Sequence, residues 1–416
     1  MADELNAAAV ERAAIQLASV VRRTPLELSD RLTVAHGFEV WLKREDMQLC
    51  RSYKVRGAYQ MMSSLGAAPR AAGVVCASAG NHGQGVAFAC RKLQIKGRIF
   101  LPATTPRQKR QRIAVIGGGW VTVEITGSSY DEASAAALAD RERSGAVYVH
   151  PFDDARIIAG QGSVVVEVAQ QCEGPIDTVV VPVGGGGLIA GVALWLRERH
   201  PHTRLIGAEP AAAPSMGAAL DHGSPVTLDH YDTFVDGAAV GRVGALTFPL
   251  VRDLVDEVVA VPEGALCTEM LDLYQAEGII AEPAGALASA ALKQPLARRP
   301  EGVTVCVLSG GNNDVSRYGE VLERSLLHEG LRHYFLVTFP QEPGALRHFL
   351  SDVLAQGEDI VVFEYVKKNN RETGPALVGI ELESATDIAA LLDRMAASPL
   401  QIERVPPGSP LFSFLM

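Results

Sequence analysis

Short runs of Val, Ile and Leu alternate with longer alanine-rich stretches of helical period through the first three quarters of the chain. The apolar runs predict strands over Glu39–Lys43, Val74–Ser78, Ile99–Leu101, Val121–Ile125, Thr178–Val183, Leu205–Glu209, Glu257–Val261 and Thr304–Ser309. Between them the spacing predicts helices over Asn6–Val21, Gly83–Leu93, Pro106–Ile116, Tyr130–Ser144, Ile157–Gln171, Leu188–His200, Glu263–Glu277 and Ala284–Leu292. Strands that are apolar on both faces and separated by helices read as parallel strands covered on both sides. The fold class expected is α/β, with open doubly wound sheets that bind ligands at the carboxyl ends of their strands.

After about Arg332 the pattern changes. His333–Phe339 alternates like a strand, and Pro343-Gly344-Ala345-Leu346 opens a helix running to about Gln356, with proline near its first turn. Asp359–Val366 and Ala376–Glu383 read as strands around the polar turn Lys367–Gly374. Ala385–Ala397 reads as a helix and Leu400–Val405 as a last strand. This βαββαβ order fits a small ferredoxin-like α+β module. Its Pro-x-x-Pro-Gly-Ala-Leu turn resembles that of regulatory ACT-like domains; a plain dimerisation module is the alternative.

Composition narrows the class. A chain of 416 residues exceeds one ordinary core, so two or three domains are expected. The net charge of -10 argues against nucleic acid or an anionic membrane as the main partner. No apolar run is long enough to span a bilayer, and the acidic start Met1-Ala2-Asp3-Glu4 lacks a signal-peptide pattern, so a cytoplasmic protein is expected. The six cysteines form no CxxC pair, which favours reduced structural thiols over a metal or redox centre.

Four motifs carry chemistry. Ser52-Tyr53-Lys54-Val55-Arg56-Gly57-Ala58 supplies an amine, and burial, or a neighbouring cation such as Arg56, would lower the Lys54 pKa and favour its neutral form. Tyr53 either packs beside a cofactor ring or belongs to the core. Ser78-Ala79-Gly80-Asn81-His82-Gly83 follows a strand and precedes a helix. Its N–H groups can hold a substrate carboxylate and Asn81 can reach a ring hydroxyl, or Asn81 simply caps the helix. Gly184-Gly185-Gly186-Gly187-Leu188 sits at a second strand-to-helix junction, where bare N–H groups and a helix N-terminus suit a phosphate. Gly117-Gly118-Gly119 has the opposite polarity and reads as a helix stop. Ser309 closes the last strand, where its hydroxyl can meet a pyridine nitrogen. Together these residues are equipped to hold pyridoxal phosphate on Lys54.

In this order and spacing the motifs resemble those of fold-type II pyridoxal-phosphate enzymes, most closely the threonine dehydratases. Lys43-Arg44-Glu45-Asp46, Pro151-Phe152-Asp153-Asp154 and Ala281-Glu282-Pro283-Ala284-Gly285-Ala286 belong to the same set, and the likeness covers nearly the whole chain. It implies two open α/β sheet domains: a large one over 1–45 and 150–325, and a small one over 46–149. An ACT-like domain would follow over 333–416. It further implies that Lys54 is the Schiff-base lysine and that Asn81 contacts the ring hydroxyl. Gly184, Gly185, Gly186, Gly187 and Leu188 would then bind the phosphate, and Ser309 the ring nitrogen. Tyr53 stands where phenylalanine is common. Ser78, Ala79, Gly80, Asn81 and His82 would bind the substrate.

The tail around Ser325-Leu326-Leu327-His328-Glu329-Gly330-Leu331-Arg332 looks like that of the short biosynthetic form. This implies conversion of L-threonine to 2-oxobutanoate and ammonia, inhibition by L-isoleucine, and a homodimer or homotetramer. Two relatives on the same fold stay in view: a catabolic serine/threonine dehydratase, and a serine racemase. Racemases of the family carry a second serine where this chain has Ala79. Their divalent-metal site needs an acidic residue shortly after Glu209, and Ala211 to Ser215 include none, so no required metal is expected. A protein that only senses amino acids is the third reading.

Overall fold

The computed structural model describes residues 5–365, 372–406 and 409–415. The chain divides into two compact units, Met1–Asp314 and Val315–Met416.

The first unit holds two sheets. Among the described residues its strands are β1 (Leu26–Leu28), β2 (Val40–Arg44), β3 (Val74–Ala77), β4 (Gly97–Leu101), β5 (Val121–Ile125), β6 (Val147–Tyr148), β7 (Thr178–Pro182), β8 (Arg204–Pro210), β9 (Glu257–Val261) and β10 (Thr304–Leu308). The larger sheet has the order β1-β2-β10-β7-β8-β9 and the smaller β5-β4-β3-β6. Every pairing is parallel except β1 with β2. All five residues of β7 and of β10 are buried, as continuous apolar strands covered on both faces should be. One core packs Val179, Val181, Ile189, Val192, Trp195, Leu205 and Val305; another packs Met61, Met62, Val74, Cys76, Val86, Ile99 and Leu101. The six cysteines are unpaired, and all but Cys172 are buried.

The second unit carries β11 (Arg332–Pro340), β12 (Glu358–Tyr365), β13 (Thr373–Leu382) and β14 (Gln401–Arg404), with helices Ala345–Asp352 and Ile388–Ala397. Its sheet has the order β12-β13-β11-β14 and is antiparallel throughout. This is the βαββαβ arrangement expected of a ferredoxin-like module. Phe335, Val337, Phe349, Val378, Ile380 and Leu391 fill its core. Lys367 to Arg371 of the predicted turn lie outside the described residues; Thr373 and Gly374 already belong to β13.

Lys54 begins a helix, Lys54–Ser63, that the apolar pattern did not announce. A buried ionic cluster fixes it. Arg56 donates through Nε and Nη2 to the two oxygens of Glu45, at 2.8 and 2.7 Å, and through Nη1 to Glu167 at 2.7 Å. Lys43 completes the cluster, donating to Glu167 at 2.7 Å, to the Thr24 carbonyl at 2.7 Å and to Gln171 at 2.8 Å. Two cations and two carboxylates thus balance with their hydrogen bonds made, the condition under which buried charge is tolerated. Burial works to raise the Glu45 carboxyl, but Arg56 and Lys43 overcome it and hold the group below its ordinary value. Arg56 is therefore committed to these carboxylates; of the two influences expected on Lys54, burial rather than this cation lowers its pKa.

Breaking this cluster leaves a buried guanidinium short of a partner, at a cost of about 3 kcal/mol or more. Glu45→Gln should lower the stability of the first unit by that amount in denaturant unfolding. The tryptophans Trp41, Trp120 and Trp195 all lie in that unit, so their fluorescence reports it. A loss under about 1 kcal/mol, the scale of an exposed ion pair, contradicts the account.

Candidate active site

The predicted residues gather at the carboxyl ends of β3, β7 and β10. Ser309 directly follows β10, and its carbonyl accepts from the Tyr53 N–H at 3.1 Å. This bond ties the end of the last strand to the start of the Lys54 helix. The Lys54 amine donates to the Pro151 carbonyl at 3.1 Å and lies 5.3 Å from the Tyr53 ring centroid. Tyr53 itself packs against the larger core. Some of the Lys54 surface stays accessible, yet the protein around it desolvates the amine and pushes its pKa down to about 8, with Glu282 pulling the other way. Such an amine reaches its neutral form near neutral pH far more readily than a free lysine does.

The tetraglycine joins β7 to the helix Gly187–Arg199. Gly186 has φ +92°, which only glycine adopts readily, and a Cβ on Gly185 would lie 2.3 Å from the Phe152 ring. Among the described residues, no partner takes the N–H groups of Gly185, Gly186, Gly187 or Leu188. The loop is braced from behind by Thr247, whose hydroxyl donates to the Gly185 carbonyl at 2.6 Å. Such unpaired donors at a helix start fit a phosphate without any basic side chain.

Pro151-Phe152-Asp153-Asp154 joins the amine to this loop. Pro151 receives Lys54, Phe152 covers the glycines, and Asp153 accepts from the N–H groups of Ala245 and Leu246 at 2.9 and 2.8 Å. Asp154 caps the helix Ala155–Gln171. Nothing in the local pattern of this motif announces these contacts, because its partners are distant in the chain.

Asn81 opens the helix Asn81–Leu93 but makes no side-chain cap. Its amide instead bridges Asn312, which donates to Oδ1 at 2.6 Å, and Glu282, which accepts from Nδ2 at 2.5 Å. Within Ser78–His82 the Ser78 N–H is spent on the Phe100 carbonyl and the Gly80 N–H on the Ser78 hydroxyl. The N–H groups of Ala79, Asn81 and His82 remain without a partner among the described residues, so the carboxylate cradle is narrower than expected. Ser309 donates to the Ala284 carbonyl at 3.1 Å, and its hydroxyl must turn to meet a ring nitrogen. Glu209 accepts from the N–H groups of Met216 and Gly217, both at 2.9 Å, and so caps a helix.

A separate cleft of about 800 Å³, lined by residues including Tyr59, Gln60, Asp153, Asp154 and Arg156, contains none of the predicted site residues. Chemistry, not cavity size, picks out the site: an amine of lowered pKa, unpaired N–H donors, an amide and a hydroxyl, gathered near the carboxyl ends of β3, β7 and β10. This donor set fits pyridoxal phosphate.

Residues 17–310 match the pyridoxal-phosphate dependent enzyme family, and residues 323–415 match the C-terminal regulatory domain of threonine dehydratase. The biosynthetic L-threonine dehydratase IlvA of Mycobacterium tuberculosis is 58% identical over 99% of this chain and 96% of its own. The chain belongs to the biosynthetic threonine dehydratase family. The IlvA of Bacillus subtilis is 46% identical over 95% of this chain and 94% of its own. Among solved structures, the processed form of threonine deaminase isoform 2 from Solanum lycopersicum has a TM-score of 0.72 at 38% identity, over 78% of this chain and 94% of its own. The enzyme is thus a fold-type II pyridoxal-phosphate protein with a C-terminal regulatory module. Among the described residues, no helix is long and apolar enough to cross a membrane.

His82 gives a test of the site's electrostatics. Its Nε2 lies 2.8 Å from the Val149 carbonyl, so Nε2 carries the proton, and Nδ1 is buried without a partner. Burial, then the Lys54 charge, push its pKa down to about 3. Histidine-selective 15N spectra at about pH 5.5, a unit below the ordinary histidine value, should show a neutral ring protonated on Nε2. An imidazolium there contradicts the geometry.

Proposed function

We propose that this enzyme converts L-threonine to 2-oxobutanoate and ammonia, the first step of isoleucine synthesis, with L-isoleucine acting on the C-terminal module as feedback inhibitor. The observation that carries the reading is the convergence of Lys54, Asn81, Gly185–Leu188 and Ser309, within a chain similar over its length to biosynthetic dehydratases.

Bound pyridoxal phosphate supplies an aldehyde that an amine captures and a conjugated ring that draws electrons from the substrate α-carbon. The enzyme's residues do the rest. Lys54 would hold the cofactor covalently, and its amine, in the neutral form, is the group placed to take the substrate α-proton. The N–H groups of Gly184 to Leu188 bind the phosphate, so the helix dipole stands in for a basic residue. Asn81 offers its second amide hydrogen to the ring hydroxyl. Ser309 turns its hydroxyl toward the ring nitrogen, a weak proton partner that favours early loss of the β-hydroxyl. The free N–H groups of Ala79, Asn81 and His82 hold the substrate carboxylate. Ala79 has no hydroxyl to serve as a base on the opposite face, which argues against racemisation.

Residues 1–45 with 150–325, 46–149 and 333–416 serve as the large, small and regulatory domains. The enzyme assembles as a dimer or tetramer and works in the cytoplasm.

The purified enzyme should release 2-oxobutanoate from L-threonine, and L-isoleucine should suppress the release. Release indifferent to isoleucine would point to the catabolic role; no release at all would refute the assignment. Lys54→Ala should lose turnover and the absorbance band of the bound cofactor together. Because the neutral amine is the reactive form, cofactor capture by apoenzyme should accelerate as pH rises through about 8 and then level off. A rate independent of pH from 7 to 9 contradicts a Lys54 amine that titrates near 8.

A further inference from the structure

We propose that Glu282 is a positioning residue that locks the Asn81 amide in one orientation, so that its remaining N–H faces the ring hydroxyl of the cofactor. The inference rests on the role just proposed for Asn81. An asparagine amide has two ends of nearly equal shape and opposite polarity, and only its partners decide which end points where. Here both partners are fixed. Asn312 donates to the Asn81 carbonyl at 2.6 Å and also to the Cys50 carbonyl at 2.8 Å, so its own amide cannot reverse. Glu282 accepts at the opposite end, at 2.5 Å. Turning Asn81 over would set two N–H groups face to face and a carbonyl against a carboxylate. In a buried site each mismatch leaves a polar group unpaired and away from water, which disfavours the turned-over amide.

Glu282 is built into place for this contact. Its own N–H donates to the Gly310 carbonyl at 3.1 Å, one residue beyond Ser309. A Cβ at Gly310 would come within 2.1 Å of the Glu282 Oε1, so glycine there makes room for the carboxylate. A Cβ at Gly237 would lie 3.7 Å from the same oxygen and 3.9 Å from the Asn81 Nδ2. Both Asn81 and Glu282 are buried. Ser309 donates to the carbonyl of Ala284, two residues along, so before its hydroxyl turns to the ring both Asn81 and Ser309 are bonded to one short segment, Glu282–Ala284.

The test is a double-mutant cycle on the holoenzyme and on cofactor uptake by apoenzyme, with Glu282→Ala, Asn81→Ala and both together. The readouts are the dissociation constant for pyridoxal phosphate, the position of its bound absorbance band, and kcat with threonine. Each single variant should weaken cofactor binding about tenfold, the scale of one buried hydrogen bond, and displace the band in the same direction. The double variant should be no worse than Asn81→Ala alone. Glu282→Gln keeps one acceptor for Asn81 and should fall between wild type and Glu282→Ala; should the alanine variant fail to fold, the cycle runs with Gln. Additive losses would overturn the inference and leave the Asn81 role standing. An Asn81→Ala enzyme with wild-type band and affinity would instead remove the Asn81 role itself, and this inference with it.

Discussion

The buried guanidinium of Arg56 is the constraint on which the rest of the site depends. It lies two residues past Lys54, on the first turn of the same helix, and is pinned by carboxylates from two other places in the chain: Glu45 after β2 and Glu167 on the helix Ala155–Gln171. A charge cannot leave such a position without stranding its partners, so the helix has one seat. Fixing the helix fixes where the Lys54 amine emerges. The larger sheet thereby sets the position of a nucleophile that otherwise sits at the edge of a polar loop.

From that seat the site is assembled by backbone more than by side chains. The Tyr53 N–H joins the end of β10, the Pro151 carbonyl receives the amine, and Phe152 closes over the glycine loop after β7. Each contact ties one strand end to the next, which keeps reacting groups and phosphate donors in register. Buried N–H groups left unpaired are costly, and the loop after β7 retains several. An anion is the natural partner for such donors, and in the function proposed above it is the cofactor phosphate. The lowered Lys54 pKa follows from the same enclosure: water that would solvate an ammonium has been replaced by protein.

Much of this was legible in the sequence, for reasons that differ between residues. The parallel strands β7 and β10 stood out because strands buried on both faces must be apolar throughout. The tetraglycine stood out because only glycine tolerates both φ +92° and the press of Phe152. The helix that carries Lys54 did not, because its buried face includes an arginine, and a pattern reader takes a charge for a solvated position. The same charge suggested a neighbour for Lys54 and turned out to serve Glu45 and Glu167. Glu282 was visible as part of a motif but mute in role, because its partner Asn81 is 201 residues away. Strand β1, with three residues and an antiparallel pairing, is too short to show a period.

The central claim is that Lys54, seated by Arg56, is the residue that carries the cofactor. Borohydride reduction of the holoenzyme fixes the cofactor to whichever lysine holds it, and peptide mass mapping then locates the label. The account predicts a single stoichiometric label on the peptide containing Lys54. A label on any other lysine, with Lys54 unmodified, would contradict it.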